Sequence, residues 1–298
     1  MNRLSLNSVN IMKKSSAIIT ILSGSIFMSF VGLLLRLLEE ANGFQVLFYR
    51  SFGIALIILI FICFRRKIGP ITCLSTLDWN DFWIGVNLSI AFSMYVFAMF
   101  NSSVASTLFI LSITPFIAAF LGWVFLNERL SIGTLISIAI ACLGVVIMIF
   151  DGLELERTLG NIFALISGFS FSIAILLARL GRKNDVLGGT FLGGVFCILV
   201  GFIACFYGGF GFQISLYDFV LLIFMGSFTI GIGIMLVTWG TPFVPTSEVC
   251  LLVLLESVLG SIWPWIFLSE QMTFMEIIGS CLILVSIIIF SLMNKRSV

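Results

Sequence analysis

The sequence contains no histidine and few charged residues. Lys, Arg, Asp and Glu together make up 10% of its 298 residues, whereas 60% are hydrophobic. A soluble domain has about 25% charged residues because water must solvate its surface. Most of this surface must therefore face an apolar medium, and a lipid bilayer is the expected partner. The net charge of +1 gives no basis for nucleic acid binding.

The sequence also lacks the patterns that bind metals or nucleotides. Its seven cysteines include no CxxC pair, and six of them lie in apolar runs, with Cys73 in a basic loop. A zinc site needs paired cysteines or histidine, so we interpret these cysteines as small apolar packing residues. No GxxxxGK[ST] motif occurs, which argues against ATP hydrolysis. We therefore expect neither a metal nor another cofactor.

What the sequence has instead is a series of long apolar stretches. A helix needs about 20 apolar residues to cross the hydrocarbon core. This length predicts membrane spans at 15–38, 44–64, 83–100, 104–126, 132–150, 159–178, 187–207, 218–239, 246–268 and 273–293. The predicted fold class is an all-α membrane protein with ten transmembrane helices.

The basic residues are unevenly divided between the two sides of these spans. If the N-terminus is cytoplasmic, twelve Lys and Arg residues lie on that side and two, Arg36 and Arg157, on the other. Short cytoplasmic loops are enriched in Lys and Arg. We therefore expect both termini to be cytoplasmic.

The two halves of the chain resemble each other. The segment GWVFLNERLS at 122–131 is echoed by PWIFLSEQMT at 264–273, and SSVASTLFIL at 102–111 by VPTSEVCLLV at 244–253, both at an offset of 142 residues. One offset shared by two helices and a charged turn indicates an internal repeat. We predict five-helix repeats at 1–152 and 153–298. Because five is odd, the second repeat is inverted, as in secondary transporters.

Several short motifs resemble the EamA-type family of the drug/metabolite transporter superfamily. They are Tyr49-Arg50-Ser51, Thr114-Pro115-Phe116, Leu126-Asn127-Glu128-Arg129-Leu130 and Leu268-Ser269-Glu270. The resemblance implies export or exchange of small metabolites across a bacterial cytoplasmic (inner) membrane. It also implies a cavity lined by helices 1, 3, 4, 6, 8 and 9. The chain departs from the family where it has Glu256-Ser257, because many members have Glu-Pro there.

Ionisable side chains inside the spans are the best candidates for a substrate site. Each costs about 2.5–3.5 kcal/mol at the bilayer centre, so it needs a reason to be there. We predict that Glu256 binds a substrate amine or carries a proton, and that Arg50 binds a carboxylate. A structural role for Arg50, or a direct Arg50–Glu256 pair, is left open. Glu248 is predicted at the cytoplasmic mouth, as a gate or as a solvated acid.

Polar and aromatic residues on the expected lining helices complete the predicted substrate site. Such groups on an otherwise apolar wall are typical of small-molecule pockets. These residues are Ser29, Asn87, Tyr95, Ser112 and Trp239. Each of them can serve helix packing instead. Glu128 and Glu270 are interpreted as structural acids at tight turns, where Glu128 is adjacent to Arg129.

Together these observations favour a secondary transporter for a small polar metabolite, such as an amino acid, working by alternating access around a central cavity. Two alternatives stay open: a carrier of a larger metabolite such as a nucleotide-linked compound, and an intramembrane lipid-modifying enzyme. The lack of histidine and the dispersed acids argue against the enzyme. Proton coupling, the direction of transport and the oligomeric state are not determined by the sequence.

Overall fold

The computed structural model describes residues 13–67, 69–101, 107, 110–111, 114–128, 131–149, 158–181, 186–268 and 274–294. The described secondary structure is helical. The main helices are α1 (Lys14–Arg36), α2 (Gly43–Arg66), α3 (Trp79–Asn101), α4 (Thr114–Leu126), α5 (Ile132–Ile149), α6 (Thr158–Leu180), α7 (Leu187–Tyr207), α8 (Leu216–Phe243), α9 (Thr246–Val253 continuing as Leu255–Leu268) and α10 (Phe274–Asn294). A short helix, Pro70–Ser75, lies between α2 and α3.

Six of these helices are long and apolar enough to cross a membrane, namely α1, α2, α3, α6, α7 and α8. The apolar parts of α4, α5 and α10 are shorter, and α9 is interrupted at Leu254. The predicted all-α membrane fold is therefore confirmed, while the number of ten crossings stays a prediction. The repeat boundary between 152 and 153 also stays a prediction, since both residues lie outside the described ranges.

The helices pack in two groups. Helices α1, α2, α3, α6, α7 and α8 form the six-helix group, in which α2 packs on α7, α3 on α6 and α7, and α1 on α8. Helices α4, α5, α9 and α10 form the four-helix group, in which α5 packs on α10 and α4 on α9. The two groups are in broad contact, because α4 packs on α6, and α9 packs on α1 at least as extensively as on α4 and also contacts α6.

This packing has the symmetry expected of an internal repeat. Exchanging each helix with the helix five positions along the chain turns α3–α6 into α8–α1, α3–α7 into α8–α2, and α4–α6 into α9–α1, all of which are observed contacts. The pairs α2–α7, α4–α9 and α5–α10 map onto themselves. The main helix pairings are therefore preserved when the halves are exchanged, which fits the two-repeat architecture.

Three of the helices are irregular in the middle of their length. Helix α1 is interrupted between Met28 and Val31, α8 contains a π-helical segment at Met225–Gly231, and α9 is interrupted at Leu254. Irregular backbone in a membrane protein is tolerated where it is buried in protein or lines a cavity. A π-helical segment also often marks a functional site. These interruptions point to the centre of the bundle.

The two ends of the bundle are distinguished by buried charged groups. At the end where the chain enters α1, called the Lys14 end, Lys14 lies beside Glu248 at the start of α9. At the opposite end, called the Asp218 end, the Asp218 carboxylate accepts three hydrogen bonds of 3.0 Å from the backbone N–H groups of residues 39–41. These bonds join the start of α8 to the end of α1.

Candidate functional site

A cavity of about 100 Å³ lies between the six-helix and four-helix groups. A water molecule needs about 10–15 Å³ on this measure, so the cavity has room for several waters or a small organic solute. It is lined by Met28, Val31, Arg50, Ala91, Phe92, Tyr95, Leu111, Thr114, Ser167, Phe171, Ile230, Cys250, Val253, Leu254, Glu256 and Ser257. Residues of helices 1, 3, 4, 6, 8 and 9, which the family resemblance implied, all line this cavity. Helix α2 contributes Arg50 in addition.

Arg50 brings a positive charge to this cavity from the first half of the chain. Its side chain is almost completely buried, with 1% of the residue exposed. Nη2 donates a 3.0 Å hydrogen bond to the carbonyl oxygen of Phe92, whereas the buried Nε has no hydrogen-bond partner. A guanidinium offers five donors and stays protonated in proteins. Within the described part of the chain, the Arg50 guanidinium therefore keeps unused donors at the cavity wall.

The close packing of α2 against α8 holds the backbone at Arg50. Gly226, in the π-helical segment, is so near that a β-carbon added there would overlap the carbonyl oxygen of Arg50. Gly53, one turn after Arg50, meets the backbone of α8 at Ile223 and Ser227 in the same way. Small residues allow helix backbones to approach this closely. The position of the guanidinium is thus determined by helix packing.

Glu256 brings a carboxyl group to the same cavity from the second half of the chain. It lies two residues after the interruption at Leu254, and Val253, Leu254 and Ser257 beside it also line the cavity. No ion pair joins Glu256 to Arg50, so the direct pairing left open by the sequence is absent from this conformation. The cavity therefore has a cation on the six-helix group and an acid on the four-helix group.

Tyr95, Thr114 and Ser167 are polar residues in the same cavity lining. Tyr95 follows Phe92 by almost one turn of α3 and is half-buried. The Ser167 hydroxyl donates to the carbonyl oxygen of Ala91 at 2.8 Å, and the Thr114 hydroxyl donates to that of Leu111. Both hydroxyls keep lone pairs that can accept a hydrogen bond from a bound molecule.

Of the predicted substrate residues, the structure brings Arg50, Tyr95 and Glu256 together at the cavity. Ser29 lies outside the lining, where its hydroxyl accepts a 2.7 Å hydrogen bond from Trp263 Nε1. Asn87 donates to the carbonyl oxygen of Trp83, and Trp239 packs on Phe61 and beneath the Arg65 guanidinium. Ser112 lies outside the described residues. For these four residues, substrate contact stays a prediction.

The predicted gate residue Glu248 lies away from the cavity. Its Oε2 is 2.8 Å from Lys14 Nζ at the Lys14 end, and its side chain is 7% exposed. Glu128 also lies at this end, where its Oε1 is 2.6 Å from Nε of Arg179. The sequence had suggested the adjacent Arg129, which lies outside the described ranges, as does Glu270. Tertiary packing thus supplies Glu128 with a partner 51 residues away (179 minus 128).

Sequence reasoning identified Glu256 and Thr114 but missed Leu111, Val253, Met28 and Phe171, and the repeat relates these cavity residues in pairs. Thr114 and Glu256 are 142 residues apart, as are Leu111 and Val253, and both pairs line the cavity. Met28 and Phe171, also in the lining, are 143 residues apart. The same offset of 143 relates Leu33-Leu34-Leu35-Arg36 in α1 to Leu176-Leu177-Ala178-Arg179 in α6. This second sequence match could have identified Met28 and Phe171 as lining residues, because it extends the repeat to the lining helices α1 and α6.

Comparison with known proteins agrees with this architecture. The model of the EamA-like transporter family matches the chain twice, at residues 15–150 and 158–292. An uncharacterized transporter from Archaeoglobus fulgidus is 25% identical over 205 residues, which cover 65% of this chain and 70% of that protein. A solved crystal structure is similar with a TM-score of 0.75 and 17% identity, covering 95% of this chain and all of the other.

The family match covers nearly the whole chain, and its two copies agree with the two halves seen in the helix packing. The family and the related transporter indicate a transport protein rather than an enzyme, which removes the lipid-modifying alternative. The chain therefore belongs to the EamA-like transporter family, within the drug/metabolite transporter superfamily.

Proposed function

We propose that this protein is a secondary transporter for a small zwitterion, an amino acid or a related compound. One observation supports this most directly. Arg50 and Glu256 line the same cavity from different helix groups, and neither is paired with a charged side chain in the described part of the protein. A molecule with one carboxylate and one ammonium group complements both.

The argument is one of electrostatic cost. A buried charge without a partner costs several kcal/mol, and a cation inside a membrane protein usually marks a ligand or ion pathway. A bound carboxylate would accept hydrogen bonds from Arg50 Nε and its neighbouring donors in the two-point geometry that guanidinium favours. A substrate ammonium would donate hydrogen bonds to the Glu256 carboxylate. Tyr95 lies in the same lining and is proposed as a third contact.

The cavity is less suited to a nucleotide-linked compound. Phosphate groups are usually bound by several basic side chains or by helix N-termini. Among the described residues that line the cavity, Arg50 is the single cation. The volume of about 100 Å³ also favours a small solute. We therefore rank the larger-metabolite alternative below the zwitterion.

We further propose that transport proceeds by alternating access. Arg50 belongs to the six-helix group and Glu256 to the four-helix group, so a bound zwitterion would bridge the two groups, and the proposed cycle moves these groups relative to each other. The interruptions in α1, α8 and α9 all adjoin cavity residues and offer places for helices to bend. Pseudo-symmetric halves give the two access states similar energies.

We propose the orientation of the protein in the membrane from the distribution of its basic residues. Five basic residues of the described chain, Lys13, Lys14, Arg65, Arg66 and Lys67, lie at the Lys14 end or in the loop beside it. The positive-inside rule makes this the cytoplasmic end, with both termini in the cytoplasm of a cell whose inner membrane holds the protein. Export or exchange of the substrate is our working assignment, with Glu248 at the cytoplasmic entrance as a gating residue.

The test is counterflow in proteoliposomes that contain the purified protein and a panel of amino acids. Accumulation of a labelled amino acid against its own unlabelled pool is expected for at least one member. Failure of every zwitterion, with uptake of anionic or cationic metabolites instead, would contradict the proposal. If Glu256 carries a proton, Glu256→Gln will remove the effect of a pH gradient on uptake, whereas the exposed control Glu39→Gln will keep it.

A further inference from the structure

Two ion pairs lie together at the Lys14 end. Glu128 follows α4, and its Oε1 is 2.6 Å from Nε of Arg179 at the end of α6. Lys14 begins α1, and its Nζ is 2.8 Å from Oε2 of Glu248 at the start of α9. Each pair therefore joins the six-helix group to the four-helix group.

The first pair also holds the connection between α8 and α9. The second carboxylate oxygen of Glu128 accepts a 3.0 Å hydrogen bond from the backbone N–H of Thr246. Arg179 Nη1 donates to the carbonyl oxygens of Val244, at 2.6 Å, and Pro242, at 3.3 Å. Glu128 and Arg179 thus tie α4, α6 and the α8–α9 connection at one point.

The pair is shielded from water more than an ordinary surface ion pair. The side chains of Arg179 and Glu128 are 21% and 12% exposed, against 34% for Lys14 and 7% for Glu248 in the second pair. A partly buried ion pair is screened by water and salt less than an exposed one, which contributes little. The contacts between α4 and α6 also lie beside the cavity, because Thr114 and Ser167 of these helices line it.

We infer that Glu128 and Arg179 form the latch that closes the cavity at the Lys14 end, and that this latch must separate before the cavity can open there. Because the pair spans the boundary between the groups, the groups cannot part at this end while it is intact. Its strength therefore sets the balance between the two access states. The inference rests on the proposed alternating-access function, and it assigns to Glu128 a conformational role instead of the purely structural one expected from the sequence.

A native cysteine allows the latch to be tested directly. Cys250 lines the cavity and is 2% exposed, whereas Cys281 is exposed on α10, outside the lining. A variant that keeps Cys250 and replaces the other six cysteines would be labelled with a membrane-impermeant maleimide. Labelling would be applied separately to the face that carries the N-terminus and to the opposite face.

Glu128→Gln and Arg179→Gln are each expected to raise the labelling rate from the N-terminal face by about tenfold, the size of a typical conformational coupling. The double variant should match either single variant, because both remove the same latch. Glu128→Gln preserves the test if Arg179→Gln folds poorly, because it removes the same ion pair from the other side. The matched control is Arg36→Gln, since Arg36 is the repeat equivalent of Arg179 at the other end of the bundle.

Unchanged labelling in Glu128→Gln, or an equal increase in Arg36→Gln, would overturn the inference. The outcome is separable from that of the proposed function. If labelling from the N-terminal face rises as expected but no amino acid undergoes counterflow, the latch stands and the substrate assignment falls. If counterflow succeeds and labelling does not respond, the substrate assignment stands and the latch falls.

Discussion

The two ends of the bundle are held by different chemistry, and they connect different helices. At the Lys14 end, ion pairs between side chains cross from the six-helix group to the four-helix group. At the Asp218 end, several described hydrogen bonds join side chains to backbone groups within the six-helix group, and between this end and the cavity Trp263 of α9 donates to Ser29 of α1 across the two groups. Asp218 joins α8 to the end of α1, while Gln45 and Tyr49 of α2 donate to carbonyl oxygens of the α7–α8 loop.

This difference suggests which parts of the molecule move and which do not. A buried carboxylate that accepts three backbone N–H bonds is costly to separate from its partners, so the contacts at the Asp218 end favour a rigid six-helix group. The ion pairs at the Lys14 end are partly exposed, so water can solvate each charge when the groups separate. In the proposed alternating-access mechanism, the groups separate at the Lys14 end, whereas the contacts at the Asp218 end keep the six-helix group intact.

The largest effect is expected for Asp218→Ala, which would leave three backbone N–H groups without their acceptor. We expect a loss of about 3 kcal/mol in the free energy of unfolding, measured by thermal or denaturant unfolding in detergent. Ser215→Ala removes a single 3.0 Å bond at the same helix start and should cost about 1 kcal/mol. Equal losses in the two variants would mean that Asp218 is not the main contact at its end.

The next effect concerns the packing that makes the six-helix group rigid. Gly226→Ala would place a β-carbon against the carbonyl oxygen of Arg50, so α8 or α2 must shift. We expect a destabilisation of about 1–3 kcal/mol, the usual cost of overpacking, together with weaker substrate binding. The control is Gly69→Ala, because no atom lies within 4 Å of the added carbon there. A Gly226→Ala protein as stable as the control would show that the groups are looser than described.

A smaller effect is expected for the contact between α1 and α9 beyond the cavity. Trp263 stacks on Phe30 with ring centroids 4.4 Å apart and donates a 2.7 Å hydrogen bond to Ser29. Trp263→Phe keeps an aromatic ring and loses the bond, for about 1 kcal/mol. Ser29→Ala removes the acceptor of the same hydrogen bond, so its loss in the free energy of unfolding should equal that of Trp263→Phe. If either variant raises Cys250 labelling from the face opposite the N-terminus, the boundary between the groups is also closed on that side.

The smallest effect is expected for the second ion pair, because Lys14 is 34% exposed. A double-mutant cycle with Lys14→Gln and Glu248→Gln should give a coupling of about 0.5 kcal/mol that falls as salt is added. The same cycle for Glu128 and Arg179 should give a larger value. The opposite ranking would make Glu248, rather than Glu128, the main contact between the groups.

Much of the fold follows from the sequence because its signals are composition, length and repetition. The offset of 142 between Glu128 and Glu270 predicted the inverted repeat, and the rarity of charge in spans singled out Arg50 and Glu256. What could not be predicted was the face of each helix. Lipid-facing and core-facing sides are both apolar, so hydrophobic periodicity did not show that Trp239 points away from the cavity or that Phe171 faces it.

The irregular segments of the helices could not be predicted from the sequence either. Neither the π-helical segment at Met225–Gly231 nor the interruption at Leu254 contains a proline. Both depend on tertiary packing, as when Gly226 lies against Arg50. The Glu128–Arg179 contact also brings together residues far apart in sequence. The positions of charged residues and repeats could be read from the sequence, whereas the contacts between those charged residues depend on how the helices pack.

The most direct test of the central claim pairs each cavity charge with one end of the substrate. Counterflow of the identified amino acid would be competed by its amide, which lacks the carboxylate, and by its deaminated acid, which lacks the ammonium group. For the parent protein, each analogue should compete about tenfold more weakly than the amino acid itself. Arg50→Gln should no longer distinguish the amino acid from its amide, but should still reject the deaminated acid. Glu256→Gln should no longer distinguish the amino acid from the deaminated acid, but should still reject the amide. If both variants lose both discriminations, or neither is lost, Arg50 and Glu256 do not bind opposite ends of a zwitterion.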